Sequence, residues 1–389
     1  MPWQETDPML ERHHFAQDLA TGHWTMTELC IRYGISRPTG YKWRDRYLTD
    51  GPAGLTEHSR APRTSPLAVA PDVVELILAD SRTHGWGARK ILARLQRRDP
   101  ARAWPARSTI DDILRRHGCV QPRRRRTRWQ HPGVVPPVTQ APNDLWTIDF
   151  KGQFRTQDGL ACYPLTVVDL HSRFLLCCHG LPDVSATGVR TQLLRLFTAH
   201  GLPKAIRSDN GSPFASSGIH GLTGLNVWWL QLGIRHQRIQ PGAPQQNGAH
   251  ERMHRTLKAR VTHPAAANHR SQQRAFNAFC QTYNYERPHE ALHDATPASC
   301  WTPSPRPYPA TIAPPSYPGH CEVRRISSAG MFCLQGRQYF LSQTLSGEQV
   351  ALEPLADDLF NIIYYTTLLG RFDARTATIS GAPSLKDKC

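Results

Sequence analysis

The spacing of apolar positions divides the chain into four zones. Over residues 8–50 they recur at helical spacing, broken once by a sharp turn. Thr27 is placed to cap a helix over Glu28–Tyr33, and Gly34 to end it. Ser36 is placed to cap a second helix with Pro38 in its first turn. Helix, short glycine turn, helix predicts a helix-turn-helix within residues 1–62. Arg37, Thr39, Lys42 and Arg44 on the second helix are candidate DNA contacts, with Tyr41, Trp43 and Tyr47 as anchors. A plain helical hairpin has the same outline; the basic second helix favours DNA.

Residues 67–118 predict three short helices, built on Val73–Leu78, Ile91–Leu95 and Ile110–Leu114, the last started by Ser108 and closed by Gly118. They suit a second helix-turn-helix, a winged-helix unit or a helical spacer. Residues 119–142 read as a basic, proline-rich linker. Residues 143–300 change period. Strand-like runs at Leu145–Phe150, Tyr163–Leu170 and Phe174–His179 precede a helix near Ser185–His200 and a short strand at Ala205–Asp209. Two further helices are expected near His250–Val261 and Gln272–Tyr285, so the zone predicts a mixed α/β sheet covered by helices. Beyond the proline-rich stretch Pro303–Pro318, short β-type runs between residues 316 and 373 predict a small all-β barrel.

Charge sharpens this picture. The 389 residues carry a net charge of +16. The first 140 hold +9 of it, and the density peaks at Arg123, Arg124, Arg125 and Arg126. Such a balance points to a polyanionic partner. No apolar run approaches the length of a membrane span, and the first residues have acids but no apolar core, so neither a membrane helix nor a signal peptide is expected. Ten cysteines without one CxxC pair exclude zinc-ribbon spacing and suit reduced thiols in the cytoplasm.

The candidate chemistry rests on carboxylates. A P-loop and a GxSxG elbow are absent. Asp149 closes the apolar strand Leu-Trp-Thr-Ile-Asp, and Asp209 closes Ile-Arg-Ser-Asp before the turn pair Asn210-Gly211. Strand ends are where open sheets place their ligand sites. Glu251 lies in the first turn of a helix that presents Glu251, Arg255 and Lys258 on one side and Met253, Leu257 and Val261 on another. A solvated helix face gives the same pattern. Three carboxylates on separate elements suit hard divalent cations such as Mg²⁺ or Mn²⁺. Asp169 also ends a strand and competes for a metal role, although an acid that starts a turn or pairs with Arg173 is favoured there.

Leu145-Trp-Thr-Ile-Asp149-Phe, Ser208-Asp209-Asn-Gly-Ser-Pro-Phe and Pro244-Gln-Gln-Asn-Gly-Ala-His-Glu251-Arg-Met-His-Arg-Thr-Leu-Lys258 together resemble the catalytic core of retroviral integrases and bacterial insertion-sequence transposases. Tyr283-Asn-Tyr-Glu-Arg-Pro-His-Glu-Ala-Leu292 resembles that family's closing segment. The resemblance implies a ribonuclease-H-like core with an Asp-Asp-Glu triad, falling on Asp149, Asp209 and Glu251, and two Mg²⁺ (or Mn²⁺) ions. It also implies DNA contacts by Lys258, a transposase that cuts and joins element ends to target DNA, and a homo-oligomer on double-stranded DNA in a bacterial cytoplasm, associated with the nucleoid. Asp209 and Glu251 are 42 positions apart, longer than the compact form of the motif, and a loop insertion around Ser216–Gly224 is expected to account for it. The His₂Cys₂ zinc module of retroviral integrases is absent, since Cys30 is the only Cys before Cys119. The alternative is a sequence-specific DNA-binding regulator that kept the fold without the chemistry.

Overall fold

A computed structural model describes residues 7–58, 68–120, 139–216, 218–240 and 247–381. The Arg123–Arg126 cluster and the turn-rich segment 241–246 lie outside the described residues. The chain divides into two units, Met1–Ala70 and Pro71–Cys389.

The first unit is three helices, α1 (Pro8–Ala20), α2 (Met26–Arg32) and α3 (Arg37–Asp50), around Phe15, Leu29, Trp43 and Leu55. Helix α2 starts two residues earlier than expected. Its cap is Thr25, because Thr25-x-x-Glu28 spells a capping box: the Thr25 side chain takes the Glu28 amide and the Glu28 carboxylate takes the Thr25 amide. Gly34, at φ 63°, supplies the left-handed turn that brings the chain to Ser36, which caps α3.

The second unit opens with α4 (Pro71–His84), α5 (Ala88–Arg98) and α6 (Arg107–Arg116), packed through Ile77, Ile91, Leu95 and Ile110. Helix α6 starts at Arg107, ahead of Ser108. No strand lies between residues 68 and 120, so a winged-helix reading lacks its β wing.

A mixed sheet follows. Its strands are β1 (Trp146–Phe150), β2 (Phe154–Arg155), β3 (Ala161–Asp169), β4 (Leu175–Leu181), β5 (Ala205–Ser208) and β6 (Arg235–Arg238). β3 runs antiparallel to β1, β2 and β4, while β1, β5 and β6 are parallel to one another. Strand alternation sorts the side chains. Trp146, Ile148, Leu165 and Val167 enter a core covered by α7 (Ala186–His200) and α8 (Gly224–Gln231). The opposite face, with Cys162 and Val168, meets α9 (Gly248–Leu257) and α10 (His269–Gln281) through Met253, Leu257, Phe276 and Phe279. The segment after the sheet straps back across it: Trp301 stacks on Phe174 at 4.3 Å, and the Arg306 guanidinium donates to the Pro203 and Leu232 carbonyls.

The C-terminal strands pair as an antiparallel sheet of β7 (Glu322–Arg325), β10 (Gln349–Ala356), β11 (Leu359–Tyr364), β12 (Thr367–Asp373) and β13 (Thr378–Gly381), beside a hairpin of β8 (Met331–Leu334) and β9 (Arg337–Phe340). The region is all-β as expected; among the described residues its strands pair as one five-stranded sheet and one hairpin, and no pairing there closes them into a barrel. Its core includes Leu222, Val227 and Leu230, so α8 is coated on two sides.

Candidate active site

Asp149 sits one residue from the end of β1, on the face that carries Thr147. Asp209 follows the last residue of β5. Because β1 and β5 are adjacent and parallel, both acids emerge at the same sheet edge. Glu251 is exposed in the first turn of α9, which lies over that face. The three are brought together electrostatically. Burial pushes the Asp149 carboxyl up to about 7, and the negative charges of Asp209 and then Glu251 push in the same direction, against the Phe150 amide and Lys151. Asp209 Oδ1 accepts the Gly211 amide, at 3.2 Å.

Asp169 has no such role. Fully buried at the end of β3, it accepts from the Asn143 amide, the Ser172 amide and the Ser172 hydroxyl, and so fixes the β3–β4 turn.

Two histidines join the site that sequence reasoning misses, although the chain spells His-Glu-x-x-His over 250–254. One helical turn apart on α9, His250 and His254 both point at the sheet. Thr166 faces Asp149 across the β1–β3 ladder, and its hydroxyl lies 2.7 Å from His250 Nε2, 2.7 Å from His254 Nε2 and 3.0 Å from the Asp149 carbonyl. A hydroxyl has one proton and two lone pairs. Donating to the carbonyl, it accepts from both Nε2–H groups, which leaves both Nδ1 atoms as acceptors. The Thr147 hydroxyl reaches His250 Nδ1 at 2.8 Å. His254 Nδ1 faces Asp149 Oδ2 at 3.7 Å. Burial holds His250 well below the ordinary imidazole range, with a push from His254; burial and then Lys151 take His254 down to about 3. Both rings are therefore neutral at pH 7.

The ligand atoms of Asp149, His250 and His254 lie within 4.8 Å of one another, close enough for a transition metal. The hydrogen bonds argue otherwise. Both His250 nitrogens are already taken by threonine hydroxyls, and Glu251 faces solvent rather than a metal between the rings. The cluster is a polar clamp that locks α9, and with it Glu251, onto the strand of Asp149.

The expected DNA contacts fall into two groups. On α3, Arg37 and Lys42 are exposed, but the Thr39 hydroxyl is engaged by the Ser36 cap at 2.8 Å, and the Arg44 guanidinium bonds Asp45 and lies over Tyr41. Arg255 and Lys258 are exposed at and just beyond the end of α9, on the side of Glu251.

Comparison with known proteins gives this arrangement its class. Residues 139–244 and 232–297 match models of an integrase core domain, and residues 8–56 and 39–114 match models of homeodomain-like domains. The chain thus has a region similar to an integrase core domain and, before it, regions similar to homeodomain-like domains. It is similar to the insertion element IS407 31.7 kDa protein of Burkholderia multivorans, 31% identical over 162 residues, covering 41% of this chain and 55% of that one. It is also similar to the Caenorhabditis elegans protein K02A2.6, 33% identical over 177 residues, covering 43% of this chain and 12% of that protein. The chain spans about half or less of the length of these relatives. Among solved structures, the simian T-cell lymphotropic virus intasome in complex with a PP2A regulatory subunit aligns over 75% of this chain and 97% of that one, at 19% identity and a TM-score of 0.38. No described helix is long and apolar enough to cross a membrane.

Proposed function

We propose that the chain is a transposase that binds the terminal repeats of an insertion sequence, cleaves DNA at the element's ends and transfers the strands to target DNA. What supports this reading is that two acids, Asp209 just beyond β5 and Glu251 on α9, both act electrostatically on the largely buried Asp149 carboxyl of β1. Unneutralised, such a cluster opposes its own ionisation. Its donor set is all oxygen, which fits Mg²⁺ or Mn²⁺. Asp149 would serve both of two ions, and Asp209 and Glu251 one each. When bound, the ions supply activation of the attacking oxygen and stabilisation of the leaving one.

The chain's own residues orient and hold. Thr166, His250 and His254 fix the distance between Glu251 and Asp149. The neutral rings add no charge that would compete with a cation. Arg255 and Lys258 present positive charge to phosphates flanking the scissile one. Arg37 and Lys42 meet base edges at the start of α3, and the Arg123–Arg126 cluster adds sequence-independent grip. Joining two ends calls for at least two copies on DNA.

The test uses one labelled terminal-repeat duplex with Asp149→Asn, Asp209→Asn and Glu251→Gln. Cleavage and joining should vanish while binding stays. A triad variant that cuts at near the wild-type rate removes the assignment. A wild type that binds the ends without cutting leaves the regulator reading instead.

A further inference from the structure

On the flank of α9 away from Glu251 lies a cavity of about 380 Å³. It is bounded by α9, the β3–β4 turn, the segment 283–291 and Lys90 of α5. Three arginines converge on it: Arg173, Arg252 and Arg287. Their charges all act on the hydroxyl of Tyr283, which also lines it.

Cations gathered this way repel one another, and the cavity offers them little relief. Among the described residues, Asp169 acts on Arg173 through its charge while its oxygens bond Asn143 and Ser172, and the other carboxylates at this edge are engaged elsewhere. Glu290, the acid in the lining, pairs with Arg89 at 2.6 Å, and Glu286 serves Arg94 and His84. Arg287 makes a long contact, 3.5 Å to the Thr256 hydroxyl. Arg173 Nη1 is buried with no hydrogen-bond partner among the described residues. Its backbone is also held at φ 63°, in the left-handed region that a residue with a side chain seldom adopts. A buried donor without an acceptor, on a residue held in a seldom-used backbone region, is a feature of a site that something else completes.

We propose that this cavity is a binding site for a phosphate-bearing nucleotide, its phosphate held by Arg173, Arg252 and Arg287. Forked guanidinium donors match phosphate oxygens in geometry and charge. The volume exceeds what a bare phosphate needs and falls within the range of small-molecule pockets. Tyr283 and His289, whose rings meet edge to face at 4.7 Å, line the remainder together with Met253 and Leu170, surfaces suited to a sugar and base. The same chemistry is carried by a free mononucleotide and by an unpaired nucleotide at a DNA strand end.

This inference does not rest on the transposase reading, because its test is metal-free binding. Calorimetry on the full chain with adenosine 5′-monophosphate, in EDTA at low salt, should give one site per chain. Arg252→Gln and Arg287→Gln should each weaken it tenfold or more, while Arg337→Gln, on the exposed C-terminal hairpin, should not. Arg252 is exposed on its helix, so that variant folds, and a melting curve checks it. A fluorescent duplex with an unpaired 5′-phosphorylated end then separates the sources. If the nucleotide of DNA is the ligand, adenosine 5′-monophosphate competes, and Arg252→Gln lowers the salt slope of duplex binding by roughly one. If a free nucleotide is the ligand, calorimetry responds and the duplex slope does not. Absence of a calorimetric site, or equal affinity in wild type, Arg252→Gln and Arg287→Gln, overturns the proposal.

Discussion

Replacing Asp149 by Asn should make the metal-free protein more stable while destroying its chemistry. The reason is the raised carboxyl. Asp149 moves from an ordinary value of 3.8 to about 7 in the folded chain. An acid whose folded value is raised holds its proton more tightly when folded, so its contribution is fully present below 3.8 and is lost as pH rises through 7. Roughly three units at ~1.36 kcal/mol each make the full loss about 4 kcal/mol, an upper figure for a side chain that keeps some contact with water. Asparagine has nearly the same shape and no charge to lose. In EDTA at pH 8.5, urea melts should therefore show Asp149→Asn more stable than wild type by about 1–4 kcal/mol; at pH 5.5 the gap should shrink to roughly half, and it should close only as pH falls below 3.8. With Mg²⁺ at pH 8.5 the order should reverse, because a cation that binds only the folded wild type stabilises it by mass action. An Asn variant less stable than wild type at pH 8.5 in EDTA would refute the claim that the acids strain the unliganded site.

Thr166→Val leaves the His250 and His254 Nε2 groups without an acceptor and should cost ~2–6 kcal/mol in denaturant melts, since each buried orphan is worth about 1–3. Thr166→Ser keeps the hydroxyl and should cost about 1 kcal/mol; equal losses would mean that packing, not hydrogen bonding, holds α9. Histidines whose folded values are lowered contribute stability above their ordinary 6.5 that is lost as pH falls toward the folded value, about 4 for His236 and about 3 for His254 and His289. Stability should thus decline from pH 6.5 downward, and His254→Gln should make the decline shallower in melts between pH 6.5 and 4. On terminal-repeat DNA, Arg37→Ala should cost ~1–3 kcal/mol and relax specificity. Arg44→Ala should cost less, because Asp45 already holds that guanidinium; equal losses in an anisotropy titration would contradict the placement of α3.

Most of the site-bearing frame was legible because its signals are local. Alternation marked β1, β3 and β4, helical spacing marked α7, α9 and α10, and Asp149 and Asp209 stood at strand ends in the sequence itself. What stayed hidden depends on tertiary context. Helix α8, Gly-Leu-Asn-Val-Trp-Trp-Leu-Gln, is buried nearly all round, so it has no amphipathic period to find. Strand β6, Arg-His-Gln-Arg, is a polar edge strand, and charges that suit an exposed edge hide a strand from any search for apolar alternation. The Thr25 cap was readable from its Glu28 partner. His250 and His254 were readable as a spelling, but not as a clamp: that role exists only because β1 and β3 place Thr147 and Thr166 beneath them.

The two-sided burial of α8 has a consequence for the birth of the chain. Its inner face finds its partners, Phe197 and Trp146, in residues already synthesised. Its outer face, Val227 and Leu230, is coated by residues from Ile326 to Phe372 that do not yet exist when α8 leaves the ribosome. At ~5–20 residues per second, the wait for that coat lasts on the order of 5–20 s. For that interval the nascent core carries a greasy stripe open to any neighbour. Chains released short of residue 326 would keep it permanently, and they should be the ones that clump.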